Sequence, residues 1–460
     1  MEKGASKLIF APFLGSIIVS SKIYKNCRFF LKYPNYNFMK TLLIWFVLVF
    51  ANFTAYTQAS DTLRLKLSEV EEKFTKANFS LLAQKYNIEV SKAAIIQARL
   101  LPNPNINIEQ TIIPTSNIAN NETIGSFGQR AFQIQQLILL GGKRNKQIEV
   151  SKINAELAEY QFTELLRELV YQLRIKFYDI HFLQKTLFVY TQEIQNITRL
   201  VTAYQEQVLK GNIPLKEVVR LQSFLIGLQS EQANVKKQII DDEAVIKILL
   251  TDNSPKYIYP DVDDAILDNL NAQSLILANL ISEATENRPD RKIQDASVRL
   301  ALANLTLQKA LAKPDIIVGY SYDRAGSYVN NYHALTASMI LPFFNKNQGN
   351  IKAAESQIDA GKQYLAQAEN QLSNDVLQAF TKANMSDNLY KKMDKQFISN
   401  FKTLIDGVVE NYQKRNLTLI EFTDFLESYK NSVSQLNAIQ NDRMQAFEYL
   451  NFVVGKRVIN

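Results

Sequence analysis

Residues able to carry out chemistry are scarce in this chain of 460 residues, which has two histidines and one cysteine. His181 lies in an apolar helical run and His333 on a predicted strand, neither near a second His or a Cys, so no metal site is expected. The acidic pairs Asp241–Asp242 and Asp263–Asp264 read as solvated surface. No nucleophile motif, phosphate-binding glycine loop or pair of catalytic acids stands out, so an enzyme has no constellation behind it and no cofactor is expected. What the chain does offer is a short phrase written twice, "LKGNIPLKEV" and "QKRNLTLIEF", with Gly211 and Arg415 204 residues apart. Each reads as a turn between helices, at Gly211-Asn212-Ile213 and at Arg415-Asn416-Leu417. Gly211 and Asn416 suit a left-handed backbone, and Pro214 suits the first turn of a returning helix. Downstream, Glu217 and Glu421 occupy matching places. Glu421 and Asp424, three apart, share one helix face. Thr418-Leu-Ile-Glu421 also has the form of a capping box, in which the Glu turns back to the helix start.

The elements that carry these turns are long. Only 14 Gly and 11 Pro interrupt the chain. Apolar residues at Ile180, Leu183, Leu187, Tyr190, Ile194, Ile197, Val201, Tyr204 and Val208 step by three and four, a coiled-coil seam. A helix from about 145 to 210 would be on the order of 100 Å long. The second half repeats the plan: a helix from about 275, two strands, a long helix from about 348 to 413, then a closing helix. In the first half, a helix over about 63–100 ends at "LLPNPNI", where Pro102 and Pro104 force extended geometry. The chain therefore divides into a leader (1–59), a first repeat (60–250), an irregular linker (251–273) and a second repeat (274–460).

Met39-Lys40 followed by "TLLIWFVLVFANFTAYTQAS" has the form of a secretory signal peptide, which makes Met39 the expected start and removes Cys27 from the mature chain. Residues 1–59 hold seven basic residues and one acid; their loss leaves 45 basic and 44 acidic residues, so the formal charge of +7 gives no reason to expect nucleic acid.

Four segments alternate like strands: "NPNINIEQ", "RAFQIQQLIL", "AKPDIIVGYSYD" and "NYHALTASMILP". Ile316, Val318, Tyr320 and Tyr322 share one face of theirs. Alternation alone fits both a transmembrane β-barrel and a soluble sheet packed on helices. The export signal, and the lack of an apolar run long enough to span as a helix, favour the membrane. Four strands cannot close a barrel, and lipid does not tolerate open edges, so several chains must share one. An exported coiled-coil scaffold with a small soluble sheet is the alternative.

The order of elements, the duplication, and the strings "LPNPNI", "KPDIIVGY", "LILLGGKRNKQI" and "ILPFFNKNQGNI" resemble the TolC-type outer-membrane efflux proteins over roughly 63–455. The resemblance implies a mainly α fold with membrane β: long helical hairpins forming a periplasmic tunnel, and four strands per chain in a twelve-stranded barrel of a homotrimer. It further implies a passive duct in the outer membrane of a Gram-negative bacterium, contacting lipid, a periplasmic adaptor and an inner-membrane pump. On this basis the adaptor meets the tips at Gly211, Asn212, Ile213, Arg415, Asn416 and Leu417. Glu421 and Asp424 match an acidic pair at the closed end of the tunnel, with Glu217 as the first-half counterpart. The family often has a basic residue where this chain has Leu417, so that latch between hairpins is not expected here.

Overall fold

The computed structural model describes residues 62–112, 129–263, 265–325, 329–393 and 395–458. The expected signal peptide, Cys27, most of the loop between the first two strands, and Asp264 fall outside them.

The first repeat opens with a strand, β1 (Thr62–Leu65), and two helices, α1 (Leu67–Ala77) and α2 (Phe79–Arg99). One unbroken helix was expected over this stretch. It breaks at Asn78, whose extended backbone caps α2: Oδ1 accepts from the Leu81 N–H, and Nδ2 donates to the Leu249 carbonyl. Strands β2 (Asn105–Gln110) and β3 (Arg130–Ile138) follow, then α3 (Lys143–Leu209) and α4 (Leu215–Leu250). At 67 residues, α3 runs about 100 Å, as its heptad pattern required. Every position of the seam from Ile180 to Val208 is buried or half-buried.

The segment expected to be an irregular linker contains a strand, β4 (Tyr257–Pro260), and a short helix, α5 (Ala265–Asn269). β4 pairs in parallel with β1, Thr62 opposite Tyr257. A buried ion pair holds the following turn: Arg443 contacts Asp387 at 2.6 Å and donates to the Leu270 carbonyl, while Asp387 accepts from the Ala272 N–H.

The second repeat contains α6 (Leu277–Asn287), α7 (Pro289–Leu311), β5 (Ile316–Ala325), β6 (Asn330–Met339), α8 (Gln348–Lys392), α9 (Lys395–Gln413) and α10 (Leu419–Val454). Its opening break lies at Arg288, matching Asn78 in place, with Pro289 as the first helical residue. The helix expected to run from 348 to 413 is interrupted at Met393, which is extended and packs against the larger core. That core gathers Phe74, Phe177, Ile180, Ile246, Val376 and Phe447 from both repeats. A second core fills the tip end, with Ile197, Leu221, Val408, Tyr412, Phe422 and Leu426.

Candidate functional site at the tips and the sheet

The two repeated phrases fold into the same turn. At the first tip, the Asn212 N–H donates to the Gln207 carbonyl and the Gly211 N–H to that of Val208. At the second, Asn416 donates to Asn411 and Arg415 to Tyr412. Both are Schellman closures, which need a left-handed residue just past the helix end. Gly211 supplies it at φ +74°, and Arg415 at φ +63°. The sequence pointed to Asn416 for this role. The register of the closure instead assigns it to Arg415, and Asn416 donates its side chain to Asn411 Oδ1.

The returning helices begin differently. Pro214 caps α4 without a side-chain bond, whereas Thr418 and Glu421 form the full capping box of α10. The Thr418 N–H and hydroxyl both donate to Glu421 Oε2 at 2.8 Å. Those two bonds, the backbone one first, hold the Glu421 carboxyl below its ordinary range. Asp424 is exposed one turn on and makes no ion pair among the described residues, while Glu217 is half-buried; burial, then Tyr204, and least of all Glu217 push the Tyr412 hydroxyl up.

Ile213 and Leu417 are half-buried. Leu417 packs into the tip core, and Ile213 lines a cavity of about 470 Å³ between the hairpins with Arg199, Tyr204, Val409 and Arg415. The apolar residues that do face outward at the tips are Leu209 (88 % exposed), Leu215 and Ile420. Sequence reasoning missed them because each also fits a helical stripe. It missed Tyr412 too, whose ring stacks between Tyr204 at 5.5 Å and Phe422 at 4.1 Å, tying one hairpin to the other. The spacing of Ile405, Val408 and Tyr412, three then four, was the available signal.

At the other end, β2, β3, β5 and β6 form one antiparallel sheet in that order. Its register sorts the side chains. Ile106, Ile134, Tyr320 and Leu335 stand in one row on one face, while Asn105, Gln135, Gly319 and Thr336 stand in the next row on the opposite face. All four residues of the apolar row are exposed, Leu335 at 89 %. An apolar face left open, backed by an amide and hydroxyl face, is the pattern of a barrel with lipid outside and water within. A Cβ on Gly319 would meet Thr336 Oγ1 at 2.7 Å and the Ile134 carbonyl at 2.9 Å, so the inner face has no room there for a side chain. His333 sits on the apolar face with its Nδ1 2.7 Å from the Tyr320 hydroxyl. His181 is buried edge-on against Phe182. Among the described residues no cluster suited to a metal ion occurs. Asp242, expected on the surface, is buried on α4 and paired with Lys176 at 2.7 Å; its partner in sequence, Asp241, is exposed.

A sheet with one exposed apolar face joined to duplicated helical hairpins is the architecture of outer-membrane channel subunits. The chain belongs to the family of outer membrane efflux proteins, whose profile matches residues 72–250 and 280–455. It is 23 % identical over 292 residues to the cobalt-zinc-cadmium resistance protein CzcC of Cupriavidus metallidurans, and 20 % identical over 275 residues to the pyoverdine export outer membrane protein OpmQ of Pseudomonas putida. Those alignments cover 63 % and 57 % of this chain and 66 % and 57 % of the relatives, under two thirds of their length. The fold is that of the Campylobacter jejuni CmeC outer membrane channel (TM-score 0.70, 12 % identity, 86 % of this chain and 87 % of that one). It is also that of CusC (TM-score 0.68, 14 % identity, 88 % and 96 %).

Proposed function

We propose that the protein is the passive outer-membrane exit duct of a tripartite efflux or secretion system. The observation that carries this reading is the sheet with one open apolar face and two open edges. The apolar face is unfavourable in water and suited to lipid, while the open edges, which lipid does not tolerate, are removed when copies close a barrel. Three copies at four strands each make twelve, and the exposed apolar flanks of the helices, such as Tyr86, Val90, Ile226 and Met385, then meet across subunits. The barrel sits in the outer membrane and the helices extend into the periplasm. An exported scaffold with a soluble sheet leaves the apolar row without a purpose.

In this reading the tips dock onto an adaptor, which links the duct to an inner-membrane pump. The turns at Gly211-Asn212-Ile213 and Arg415-Asn416-Leu417 shape the docking end. Leu209, Leu215 and Ile420 supply its apolar contact, while Ile213 and Leu417 brace the hairpins from within. Asp424 is the stronger gate candidate, because Glu421 is engaged in its capping box and Glu217 is half-buried. Threefold repetition of Asp424 makes a carboxylate ring that favours cations at the tunnel mouth. The chain acts as a conduit without catalysis. The two relatives are named for unlike cargoes, and we assign the choice of cargo to the pump.

Single-channel recording of the extracted protein in a planar bilayer tests the duct. Long-lived, cation-preferring steps are expected, and Asp424→Ala with Glu421→Ala should raise resting conductance and weaken the cation preference. No insertion by a folded sample would return the sheet to the scaffold reading. Unchanged conductance and selectivity in the double variant would remove the pair from the gate.

A further inference from the structure

β2 and β6 are the open edges of the sheet, and β2 runs away from the helices while β6 runs back toward them. Closure by a second copy therefore sets the neighbour's β6 antiparallel to β2. The segment leaving β6 in one copy then lies beside the segment leading into β2 in the next. Both segments are apolar and uncovered: Leu100 and Leu101 before β2, and Ile340, Leu341, Phe343 and Phe344 after β6. Phe343 is 72 % exposed and Phe344 96 %, although both rim a groove on their own side of the sheet with Leu311 and Lys313. Within one copy the two edges are three strand spacings apart, about 14 Å.

Beside Leu101 a cavity of about 450 Å³ opens, lined by Pro102, Ile138, Leu139, Arg144 and Asn145. The Arg144 Nε is buried there with no hydrogen-bond acceptor among the described residues. A guanidinium that shares a cavity lining with Leu101, Pro102, Ile138 and Leu139 is suited to an aromatic ring, which arginine holds by stacking and by cation–π attraction.

We propose that this cavity receives Phe343 and Phe344 from the neighbouring copy of the same chain, forming a lock at the base of the barrel apart from strand pairing. The lock rests on the multi-copy barrel proposed above. It adds a side-chain component to an interface that strand hydrogen bonds alone would leave free to slip in register. It also covers, at one stroke, the apolar residues on both sides of the junction.

Cross-linking provides the test, starting from Cys27→Ser, which removes the one cysteine of the sequence. In that background Leu101→Cys with Phe344→Cys should give, on oxidation in detergent, a ladder ending in a covalent trimer, while each single cysteine stays at monomer mass. Particles that light scattering shows to be trimeric, yet give no ladder, would overturn the lock and leave the trimer standing. Monomeric particles would overturn the trimer and the lock together. A cysteine at 344 that reacts in the trimer with a bilayer-dissolved maleimide places Phe344 in lipid and likewise overturns the lock. Phe343→Ala with Phe344→Ala should raise the monomer fraction about tenfold or more, as loss of an aromatic anchor does; an unchanged fraction counts against it.

Discussion

The two hairpin tips share a backbone and differ in how they hold it. Both close with the same pair of hydrogen bonds, at Gly211 and at Arg415. The first tip uses residues whose backbones are already suited to the turn: a glycine in the left-handed position and a proline at the start of α4. The second places an arginine where a side chain is disfavoured, and follows it with a capping box at Thr418 and Glu421. Duplication thus preserved the geometry while the means of stabilising it diverged. The lesson is that a repeated turn is recognised by its closure, not by its letters.

That comparison can be broken most forcefully at the outer surface of the tips. Leu209→Asp, Leu215→Asp and Ile420→Asp together should abolish efflux while leaving the melting temperature and trimer mass unchanged, as resistance assays and light scattering would read. Ile213→Asp with Leu417→Asp should instead lower the melting temperature, because these residues are half-buried. Normal efflux in the triple variant would mean that docking does not use these residues.

Next in size is the ring stack that joins the hairpins. Tyr412→Ala removes a buried ring between two others and should cost about 3–5 kcal/mol in denaturant unfolding. A loss below about 1 kcal/mol would show that the hairpins are held together elsewhere.

A smaller effect separates the two caps. Thr418→Ala should cost about 1 kcal/mol, and Pro214→Ala, which removes no side-chain cap, much less. The same box carries a pH signature. Because the Glu421 carboxyl is held below its ordinary range by the Thr418 N–H and hydroxyl, its contribution is complete above about pH 4.3 and is lost as pH falls through the lowered value. Glu421→Gln, which removes the titrating group, should flatten that acid-side decline in melting curves; an unaltered slope would assign it to other carboxylates.

The smallest change tests the left-handed position itself. Arg415→Gly should gain up to about 1 kcal/mol and Gly211→Ala should lose about as much, since only the residue's comfort at positive φ is altered.

Periodicity made the strands, the α3 seam and both tips legible, because each is a local pattern of two, three and a half, or a turn. The missed features depend on distant partners. Asn78 looks like any polar helical residue until the Leu249 carbonyl is beside it. β4 is four residues of mixed character, and only β1, far away in sequence, makes it a strand. Met393 breaks its helix without a proline or glycine, and its place in the larger core gives the sequence no local sign. At the tips, the turn residues were readable but their exposure was not: Ile213 and Leu417, expected at the adaptor contact, are half-buried, while Leu209, Leu215 and Ile420 were overlooked.

The parallel pairing of β1 with β4 also bears on how the chain is made. A chain exported from its amino end releases Thr62–Leu65 early, yet their partner strand ends at Pro260, and the adjoining turn is fixed only when Arg443 reaches Asp387 and Leu270. The hairpin of α3 and α4 closes on itself across a short turn, so it is free to form while the rest is still crossing the inner membrane. The β1–β4 pair and the turn beside it therefore close late in chain order. Until Arg443 has emerged, the first hairpin can be complete while Asp387 still lacks the guanidinium that fastens it to the turn at Leu270.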